Sequence, residues 1–456
     1  MSSSMPVFPV HIFREYDIRG VYGQEISEAF AYKLGQAFAC LLPDGEKKPV
    51  ILGRDARLSG PDLMAALSKG LISCGRNVVD IGMVPTPLAY FGVHHIGAAG
   101  CIVVTGSHNP PEYNGFKMMR GPDSLHGEDI RRIQQHIQRQ MPVATIPGQL
   151  KKLGMFEDYK RFVLQDICLS RPLKVAIDGG NGAAGPLASS IYRKLGCEVI
   201  ELYCEPDGHF PNHHPDPTIV ANLRAVRDAV REHKADLGIA FDGDGDRIGI
   251  VDEKGSIIWG DMLLLLLSLH LLKKYPGSTI ISEVKSSQHM YDNIAAHGGK
   301  PIMWRTGHSP IKAKMKETGA LLAGEMSGHI FFADRYFGHD DAIYAGARLM
   351  EVIAGQDQPV SLMFADLPHS VTTPEIRLNC PDQRKFKLVD EAITHFASLG
   401  FEIIDVDGMR LKFEDGWGLL RASNTQPALV LRFEAPDEKR LYEMRTMLED
   451  WLNKHL

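Results

Sequence analysis

From about residue 50 onward, apolar segments with the length of β-strands alternate with segments that have the periodicity of amphipathic helices. The first series contains "PVILG" at 49–53, a helix predicted to start near Pro61, "VVDIG" and "GCIVVT". A second series contains "LKVAID", "CEVIELYCE" and "DLGIAF", and a third contains "STIISEV", "KPIMWRTG" and "ALLAGE". This alternation predicts α/β units with parallel strands, in which ligands collect at the loops that follow the carboxyl ends of the strands.

The last part of the chain follows a different pattern. The strand-like segments "PEIRLN", "FEIIDV" and "ALVLRFEA" surround a hairpin-like stretch at "EDGWG", with helices predicted near 384–399 and from about Asp437. Strands next to strands, with the helices set apart, predict an α+β domain. The length of 456 residues allows three or four domains. We therefore expect three α/β domains and one α+β domain, with these bounds: 1–153, 154–256, 257–368 and 369–456.

Composition and charge exclude several classes of protein. The formal net charge is only -6 and no Lys/Arg block is interleaved with aromatic residues, so we expect no nucleic-acid partner. The most apolar run, 262–272, has about half the roughly 20 residues of a membrane span, which predicts a buried helix and no membrane association. The N-terminal segment lacks a secretory pattern and the seven cysteines form no CxxC pair, so we expect reduced thiols and a cytoplasmic location.

The segment "FDGDGDR", at 241–247, follows the predicted strand "DLGIAF". Asp242, Asp244 and Asp246 alternate with glycines, so three carboxylates can converge while the backbone bends tightly. Such oxygen ligands suit Mg²⁺ or Ca²⁺, and three carboxylates leave room for a phosphate oxygen, which favours Mg²⁺. A calcium EF-hand is excluded because Arg247 occupies the position that requires glycine and the flanking segments are strand-like.

The stretch "TGSHNPPEYNG", at 105–115, follows the apolar segment "CIVV", where a buried strand has to turn. Ser107 is either an ordinary turn residue or a nucleophile. His108 is adjacent in sequence, but neighbouring residues on an extended chain point to opposite sides, so the spacing does not make it the base for Ser107. The choice between the two interpretations depends on the other loops.

The segment "GGNGAAG", at 179–185, contains GxGxxG after a predicted strand, with Glu201 near the end of the next strand. This spacing is compatible with a dinucleotide site, and therefore with an NAD-dependent oxidoreductase. A tight strand-to-helix turn explains the glycines equally well. The motif by itself leaves both alternatives open.

Two loops of the third series, "TGHSPIK" and "GEMSGH", carry groups that suit a sugar. Glu325 and Ser327 could chelate vicinal hydroxyls, with His308 and His329 close by. The alternative for the first loop is structural, with Ser309 as the cap of a helix.

The segment "RASNTQP", at 421–427, gathers an arginine with hydroxyl and amide side chains in one loop. Arginine binds a phosphate dianion in a bidentate manner, and loop amides add further donors. A plain polar loop is the alternative. Together, the four loops supply a candidate nucleophile, carboxylates for a cation, groups that bind sugar hydroxyls and groups that bind a phosphate. This combination indicates phosphoryl transfer on a phosphorylated sugar.

In this order, "TGSHNP", "DGDGDR", "GEMSGH" and "RASNTQP" resemble the α-D-phosphohexomutase family over nearly the whole chain. The resemblance is strongest to its bacterial bifunctional branch, which acts on mannose and glucose phosphates. It includes "FREYDIRG" at 13–20, "GMVPTP" at 82–87, "DGHFPNHHPDP" at 207–217 and "MKETGALLAGEMSGH" at 315–329. The resemblance implies three related α/β domains and a mobile C-terminal α+β domain around a central active-site cleft.

The resemblance also implies a role for each loop. Ser107 would be the phosphoserine and would share the metal with the three aspartates. Glu325 and Ser327 would hold the 3- and 4-hydroxyls of the sugar. The phosphate that is not transferred would be held by Arg421, Ser423, Asn424 and Thr425. The other residues expected in the cleft, with acid or base roles left open, are Tyr16, Arg19, His108, Lys117, Arg247, Lys285, Gly307, His308 and His329.

The implied reaction interconverts hexose 1-phosphate and hexose 6-phosphate through a 1,6-bisphosphate intermediate. The expected cofactors are Mg²⁺ and, as activator, glucose 1,6-bisphosphate or mannose 1,6-bisphosphate. Hexose phosphates are the expected partners of a monomer. Met326 in "GEMSGH" favours mannose and glucose phosphates over glucosamine phosphate, whose mutases usually carry glutamine at this position. The alternatives are a phosphoglucosamine mutase, an NAD-dependent oxidoreductase and a non-catalytic sugar-phosphate binding protein.

Overall fold

The computed structural model describes residues 8–139, 141, 143–423 and 426–456, and within these residues the chain forms four β-sheets flanked by helices. The strands of the first sheet are β1 (Ile18–Val21), β2 (Val50–Arg54), β3 (Val78–Met83), β4 (Gly100–Val104), β5 (Tyr113–Arg120), β6 (Asp123–Ser124) and β7 (Leu150–Lys152). Its helices are α1 (Glu28–Ala39), α2 (Gly60–Ser73), α3 (Thr86–Ile96) and α4 (Glu128–Ile137), after a 3-10 turn at Val10–Ile12. The strand order is β1-β5-β4-β2-β3-β7, with β6 beside β5.

The second sheet has the order β12-β11-β10-β8-β9. Its strands are β8 (Lys174–Asp178), β9 (Glu198–Leu202), β10 (Leu237–Phe241), β11 (Ile248–Asp252) and β12 (Ile257–Ile258). Its helices are α5 (Phe156–Asp166), α6 (Gly185–Lys194) and α7 (Arg224–His233), with a 3-10 turn at Val220–Leu223. β12 pairs with β11 and lies just past the domain boundary predicted near 256. The three predicted boundaries, near 153, 256 and 368, stay predictions.

The third sheet has the order β14-β13-β15-β16. Its strands are β13 (Thr279–Glu283), β14 (Lys300–Trp304), β15 (Leu322–Gly324) and β16 (Ile330–Phe332). Its helices are α8 (Gly260–Lys274), α9 (Gln288–Ala296), α10 (His308–Thr318) and α11 (Ala342–Ala354), followed by a 3-10 turn at Val360–Leu362. The apolar run at 262–272 lies within α8 and is largely buried, as the sequence predicts.

One arrangement recurs in the first three sheets and positions the loops of interest. The strands β4, β10 and β15 each pair in parallel with a neighbour on one side, and each is followed by an antiparallel strand: β5, β11 and β16 respectively. The turns between them are the 105–112, 242–247 and 325–329 segments, so all three leave the carboxyl end of a buried strand. This confirms the predicted α/β class and explains why three loops of different sequence occupy equivalent places.

The fourth sheet is antiparallel in all its described pairs, which confirms the α+β prediction. Its order is β17-β22-β21-β20-β19, with β18 beside β22. The strands are β17 (Val371–Thr372), β18 (Ile376–Asn379), β19 (Glu402–Ile404), β20 (Met409–Lys412), β21 (Trp417–Ala422) and β22 (Ala428–Ala435). The helices are α12 (Asp382–Ser398) and α13 (Glu438–Asn453).

The apolar core shows how the four sheets are joined. A single cluster of buried side chains runs through all three α/β sheets. The fourth sheet has its own core, and among the described residues a small apolar cluster of Val284, Trp417 and Leu419 links it to the third. Since each fully buried Leu, Val or Phe contributes about 1.5–3 kcal/mol, the continuous core ties the α/β sheets together more strongly than the small cluster ties the fourth. Among the described residues, no helix is long and apolar enough to cross a membrane.

Candidate active site

Ser107 lies in the turn after β4 in a left-handed backbone conformation, with φ at 49°. Its side chain is buried, and its Oγ donates a hydrogen bond of 2.7 Å to Asp242 Oδ2. A non-glycine residue in this conformation costs about 1–2 kcal/mol and persists where its surroundings determine it. The sequence assigns Ser107 to an ordinary turn or to a reactive site, and its contact with the aspartate loop favours the second.

His108 lies beside Ser107, with Nδ1 3.2 Å from Ser107 Oγ. The expectation that the two side chains point to opposite sides is wrong because the left-handed turn replaces the extended chain it assumed. Burial, together with the nearby Arg247, lowers the pKa of His108 well below its usual range.

The antiparallel pair β10–β11 brings Asp242, Asp244 and Asp246 together, with carboxylate oxygens within 4.8 Å of one another. All three side chains are buried. Gly243 passes so close to the serine turn that a Cβ there would lie 2.4 Å from Ser107 O. The strands on both sides of the loop confirm the exclusion of an EF-hand.

The electrostatics of this triad are set by burial and by Lys117 from β5. Burial and the repulsion from its two neighbours raise the pKa of Asp242 well above its usual range. Burial also opposes ionisation of Asp244, but Lys117 Nζ, at 2.7 Å from Asp244 Oδ2, keeps the pKa of this carboxyl low. Lys117 contacts Asp246 as well.

The triad fits a divalent cation. Asp244 Oδ1 and Asp246 Oδ1 are buried and have no hydrogen-bond partner among the described residues. Orphaned buried oxygens of this kind call for a ligand, and a set of carboxylate oxygens suits Mg²⁺ or Ca²⁺. The assignment of Asp242, Asp244 and Asp246 as metal ligands stays a prediction.

His329, from the turn after β15, joins the triad to the third sheet. Arg247 Nε donates to His329 Nε2 at 2.9 Å, and His329 Nδ1 lies 3.0 Å from Asp340 Oδ2. The ring of His308 stacks on that of His329, with centroids 5.5 Å apart. Sequence reasoning missed Asp340, a fully buried carboxylate that also pairs with Lys312 at 3.0 Å. In the sequence, Asp340 is marked by the acidic pair in "GHDD", and such a pair is typical of the first residues of a helix.

Glu325 lies in the same turn as His329 and accepts a 2.7 Å hydrogen bond from Gly307 N. Burial and the nearby Glu283 raise its pKa. Ser327 is partly buried in this turn. Gly307 has φ at 129° and precedes α10, so the alternative that Ser309 caps this helix is wrong.

Two residues from the start of the chain reach these loops. Tyr16 packs against Gly307, where a Cβ would lie 2.7 Å from the Tyr16 ring carbon Cζ, and its hydroxyl donates to Thr306 O at 3.1 Å. Arg19, in β1, donates to Asn109 Oδ1 at 2.6 Å and thereby lies next to the serine turn.

The fourth domain contributes Arg421, at the end of β21. Its Nε donates to Asp407 Oδ2 at 3.0 Å, and Thr306 N donates to the same oxygen at 3.0 Å. Lys285, after β13, lies 3.2 Å from Glu375 Oε2 and so makes a second link to this domain. Ser423 is buried and its Oγ accepts from Gln426 N at 3.1 Å. Two further predicted phosphate-binding residues lie outside the described residues: Asn424 and Thr425.

The glycine-rich segment 179–185 packs against the aspartate loop. A Cβ at Gly182 would lie 2.7 Å from Gly243 O, which shows that the two backbones touch. Glu201 bonds to Ser189 and Arg193 of α6. The glycines therefore serve close packing, and this geometry argues against the dinucleotide alternative.

Comparison with known proteins agrees with this arrangement. Four models described as phosphoglucomutase/phosphomannomutase alpha/beta/alpha domains I, II and III and C-terminal domain match residues 10–143, 157–255, 259–371 and 375–450. A phosphomannomutase/phosphoglucomutase of Pseudomonas aeruginosa is 44% identical over 452 residues, 99% of this chain and 97% of the relative. A phosphoglucomutase of Neisseria gonorrhoeae is 44% identical over 451 residues, 98% of each chain.

A solved structure described as a phosphoglucomutase/phosphomannomutase family protein from Burkholderia thailandensis superimposes with a TM-score of 0.91. It is 41% identical and covers 98% of both chains. Since the four domain models match in order and the likeness extends over nearly the full length, the chain belongs to the phosphoglucomutase/phosphomannomutase family.

Proposed function

We propose that this chain is a phosphohexomutase that interconverts the 1-phosphates and 6-phosphates of glucose and mannose through phosphorylated Ser107. The observation that carries the proposal is the 2.7 Å contact between Ser107 Oγ and Asp242, one of three buried carboxylates. A plain turn serine does not require a triad of buried acids beside it. A phosphoserine next to a cation-binding site does.

In the forward half-reaction, the free hydroxyl of a hexose 1-phosphate attacks the phosphorus of phosphorylated Ser107. A new P–O bond forms to the sugar, and the P–Oγ bond breaks with its electron pair remaining on Ser107 Oγ. The hydroxyl proton passes to a base, for which His329 and His308 are the candidates, and Oγ regains a proton. The product of this step is the 1,6-bisphosphate bound to unphosphorylated enzyme.

Cationic side chains already lie where negative charge develops. Lys117 and Arg247 are at the triad, and Arg19 reaches the serine turn through Asn109. Preorganised charges of this kind stabilise the oxygens of the transferring phosphoryl group. A Mg²⁺ held by Asp242, Asp244 and Asp246 would neutralise charge on the phosphoryl oxygens. The buried position of Ser107 also limits hydrolysis of its phosphate by water.

The second half-reaction reverses the first after the bisphosphate has turned around in the site. Ser107 Oγ then loses its proton and attacks the other phosphate, and the bond between that phosphorus and its sugar oxygen breaks with the electron pair remaining on the sugar oxygen. That oxygen takes up a proton, and hexose 6-phosphate leaves the phosphorylated enzyme. Glu325 and Ser327 are proposed to hold the 3- and 4-hydroxyls in both orientations. Arg421 and its loop are proposed to hold whichever phosphate is not being transferred.

The metal, the activator, the oligomeric state and the location are proposed from chemistry and from the likeness to relatives. Mg²⁺ is proposed as the metal because three carboxylates leave coordination sites for a phosphate oxygen and water. Glucose 1,6-bisphosphate or mannose 1,6-bisphosphate is proposed as the activator, since it can phosphorylate Ser107. We also propose a monomer located in the cytoplasm, where the seven free thiols would stay reduced.

A coupled assay of hexose 6-phosphate formation tests the function directly. The substrates are glucose 1-phosphate, mannose 1-phosphate and glucosamine 1-phosphate, each with a trace of the corresponding bisphosphate and Mg²⁺. We expect turnover of the first two. Turnover of glucosamine 1-phosphate alone would reassign the chain as a phosphoglucosamine mutase, and no turnover of any of the three would leave a binding protein.

Replacing Arg421 with alanine tests the phosphate clamp. The change removes a charged hydrogen-bonding group worth about 1.5–3 kcal/mol, so kcat/KM should fall roughly 10- to 150-fold. Activity should also depend more strongly on added glucose 1,6-bisphosphate, because an intermediate that escapes leaves unphosphorylated enzyme. The measurement is activity against bisphosphate concentration, with direct detection of free bisphosphate during turnover.

Arg384→Ala is the matched control, because Arg384 forms a two-hydrogen-bond pair with Glu391 in the same domain and lies on α12. This variant should keep both the activity and the bisphosphate requirement of the wild type. If Arg421→Ala loses neither affinity nor retention of the intermediate, the loop is only a polar connection.

A further inference from the structure

The segment that links β2 to α2 contains a buried charged pair, Asp55 and Arg57, whose side chains are both fully inaccessible to solvent. Neither residue belongs to the loops that carry the proposed chemistry. Arg57 Nε donates to Asp55 Oδ2 at 3.1 Å, and Arg57 N donates to Asp55 Oδ1 at 3.0 Å. The carboxylate therefore fixes both ends of the arginine.

The rest of the guanidinium is directed at the serine turn. Nη1 donates to Pro110 O at 2.5 Å and to Tyr113 O at 2.8 Å. Nη2 donates to Ser107 O at 2.8 Å and also to Asn109 O. With the bond from Nε, all five N–H groups of the guanidinium are used. Three of them hold backbone carbonyls of the serine turn, and one holds the carbonyl of Tyr113, the first residue of β5.

Asp55 holds the other side of the same turn. Its Oδ2 accepts from Thr105 Oγ1 at 2.8 Å and from Gly106 N at 3.1 Å. Thr105 Oγ1 in turn accepts from Ser107 N at 2.8 Å. Both the amide and the carbonyl of Ser107 are thus fixed by a network that starts from this pair.

Packing leaves the guanidinium little freedom to move. A Cβ on Gly106 would lie 2.4 Å from Arg57 Nε, and the ring of Phe210 lies 5.3 Å from Arg57 Cζ. Gly208 approaches the backbone of the same segment, where a Cβ would lie 2.5 Å from Ala56 O. The "DGHFPNHHPDP" segment of the second domain therefore packs against Arg57 through Phe210 and against its backbone through Gly208.

We propose that Asp55 and Arg57 are positioning residues that together hold Ser107 in its left-handed conformation, Asp55 through Thr105 and Arg57 through the carbonyl of Ser107, and so aim Oγ at the aspartate triad. This inference rests on the proposed function and extends it to a pair of side chains that are fully buried beneath the serine turn. The hydrogen bonds that Arg57 donates to the turn go to backbone oxygens, so it acts on the geometry of phosphoryl transfer and leaves sugar-phosphate recognition to other groups. A displacement of about 1 Å at a reacting group is enough to lower a rate roughly 10²-fold.

Arg57→Lys is the first test, because it keeps the charge beside Asp55 and loses the planar set of five donors. We expect kcat to fall about 10- to 100-fold. The dissociation constant for glucose 6-phosphate, measured by calorimetry, should stay within about twofold of the wild-type value, because no direct contact is lost. The rate at which glucose 1,6-bisphosphate phosphorylates Ser107, followed by intact mass, should fall in parallel with kcat.

Thr105→Val is the second test and leaves no buried charge unpaired. It removes the hydroxyl that joins Asp55 to Ser107 N while nearly keeping the side-chain shape, so it decides the question if Arg57→Lys does not fold. A smaller loss of kcat with unchanged affinity is expected. The matched control is Arg348→Lys, which alters a buried arginine that pairs with Asp334 away from the serine turn.

The inference is overturned if folded Arg57→Lys, or Thr105→Val where the first does not fold, keeps wild-type kcat. It is also overturned if affinity for glucose 6-phosphate falls as much as kcat. If Arg348→Lys loses as much activity as Arg57→Lys when both lose the same melting temperature, the effect of Arg57 is on stability alone. Failure of the wild type in the mutase assay refutes the proposed function instead, so the two failures are distinguishable.

Discussion

Ser107→Ala is expected to lower mutase activity by roughly 10⁴-fold or more, the scale seen when a covalent nucleophile is removed. The hydroxyl is the group that accepts and returns the phosphate, so no neighbouring side chain replaces it. The fold should stay intact, since the variant loses only the hydrogen bond to Asp242 and the contact with His108. Activity is measured by the coupled assay, and folding by circular dichroism and thermal melting.

Two companion variants make this result specific. Ser107→Gly suits the positive φ at this position and should be equally inactive, which separates loss of the hydroxyl from backbone strain. Ser268→Ala removes another buried serine hydroxyl, bonded to Leu264 O inside α8, and should keep full activity. Appreciable turnover by either Ser107 variant contradicts the assignment.

Asp244→Asn is expected to lower kcat roughly 10²- to 10³-fold, the cost of losing one preorganised charge-stabilising group. The amide has nearly the same shape but removes the negative charge next to Lys117 and weakens binding of a divalent cation. The effect on KM should be smaller, because the charge matters most during transfer. Raising the Mg²⁺ concentration should recover part of the activity.

Asp252→Asn is the control for this prediction. Asp252 is a buried carboxylate at the opposite end of β11, where it accepts from Lys254 N and Ser256 N. The Asp252→Asn variant should keep the kcat and the Mg²⁺ requirement of the wild type. Wild-type activity that survives treatment with EDTA would contradict the metal site.

Much of the architecture follows from local sequence. Short apolar runs such as "CIVV" and "GIAF" predict buried strands, and the polar, glycine-containing segments after them predict the site loops. The apolar runs and the polar loops are both visible in the local sequence, because a strand that is buried on both faces has a continuous run of apolar residues. The strands β4, β10 and β15 lie where these runs place them. The recurrence of the pattern was enough to predict the α/β class.

Other features depend on contacts that no local pattern shows. Strand β5 carries Asn, Gly, Lys and Arg in "YNGFKMMR", and it forms because β1 and β4 pair with it on both sides. Its position brings Lys117 to the aspartates, a contact across more than a hundred residues. Asp55 and Arg57 look like ordinary surface charges in the sequence, yet they are buried beneath the serine turn. The roles of such residues are visible in the three-dimensional structure and not in the local sequence.

The exchange of phosphate on Ser107 is the central claim, and a labelling experiment tests it most directly. The enzyme is incubated with ³²P-labelled glucose 1,6-bisphosphate and Mg²⁺, separated from free label, digested and mapped, and a second portion is chased with unlabelled glucose 6-phosphate. We predict one label per chain, located on Ser107, that the chase returns to bisphosphate within a turnover. Label on another residue, or label on Ser107 that the chase does not remove, would contradict the account.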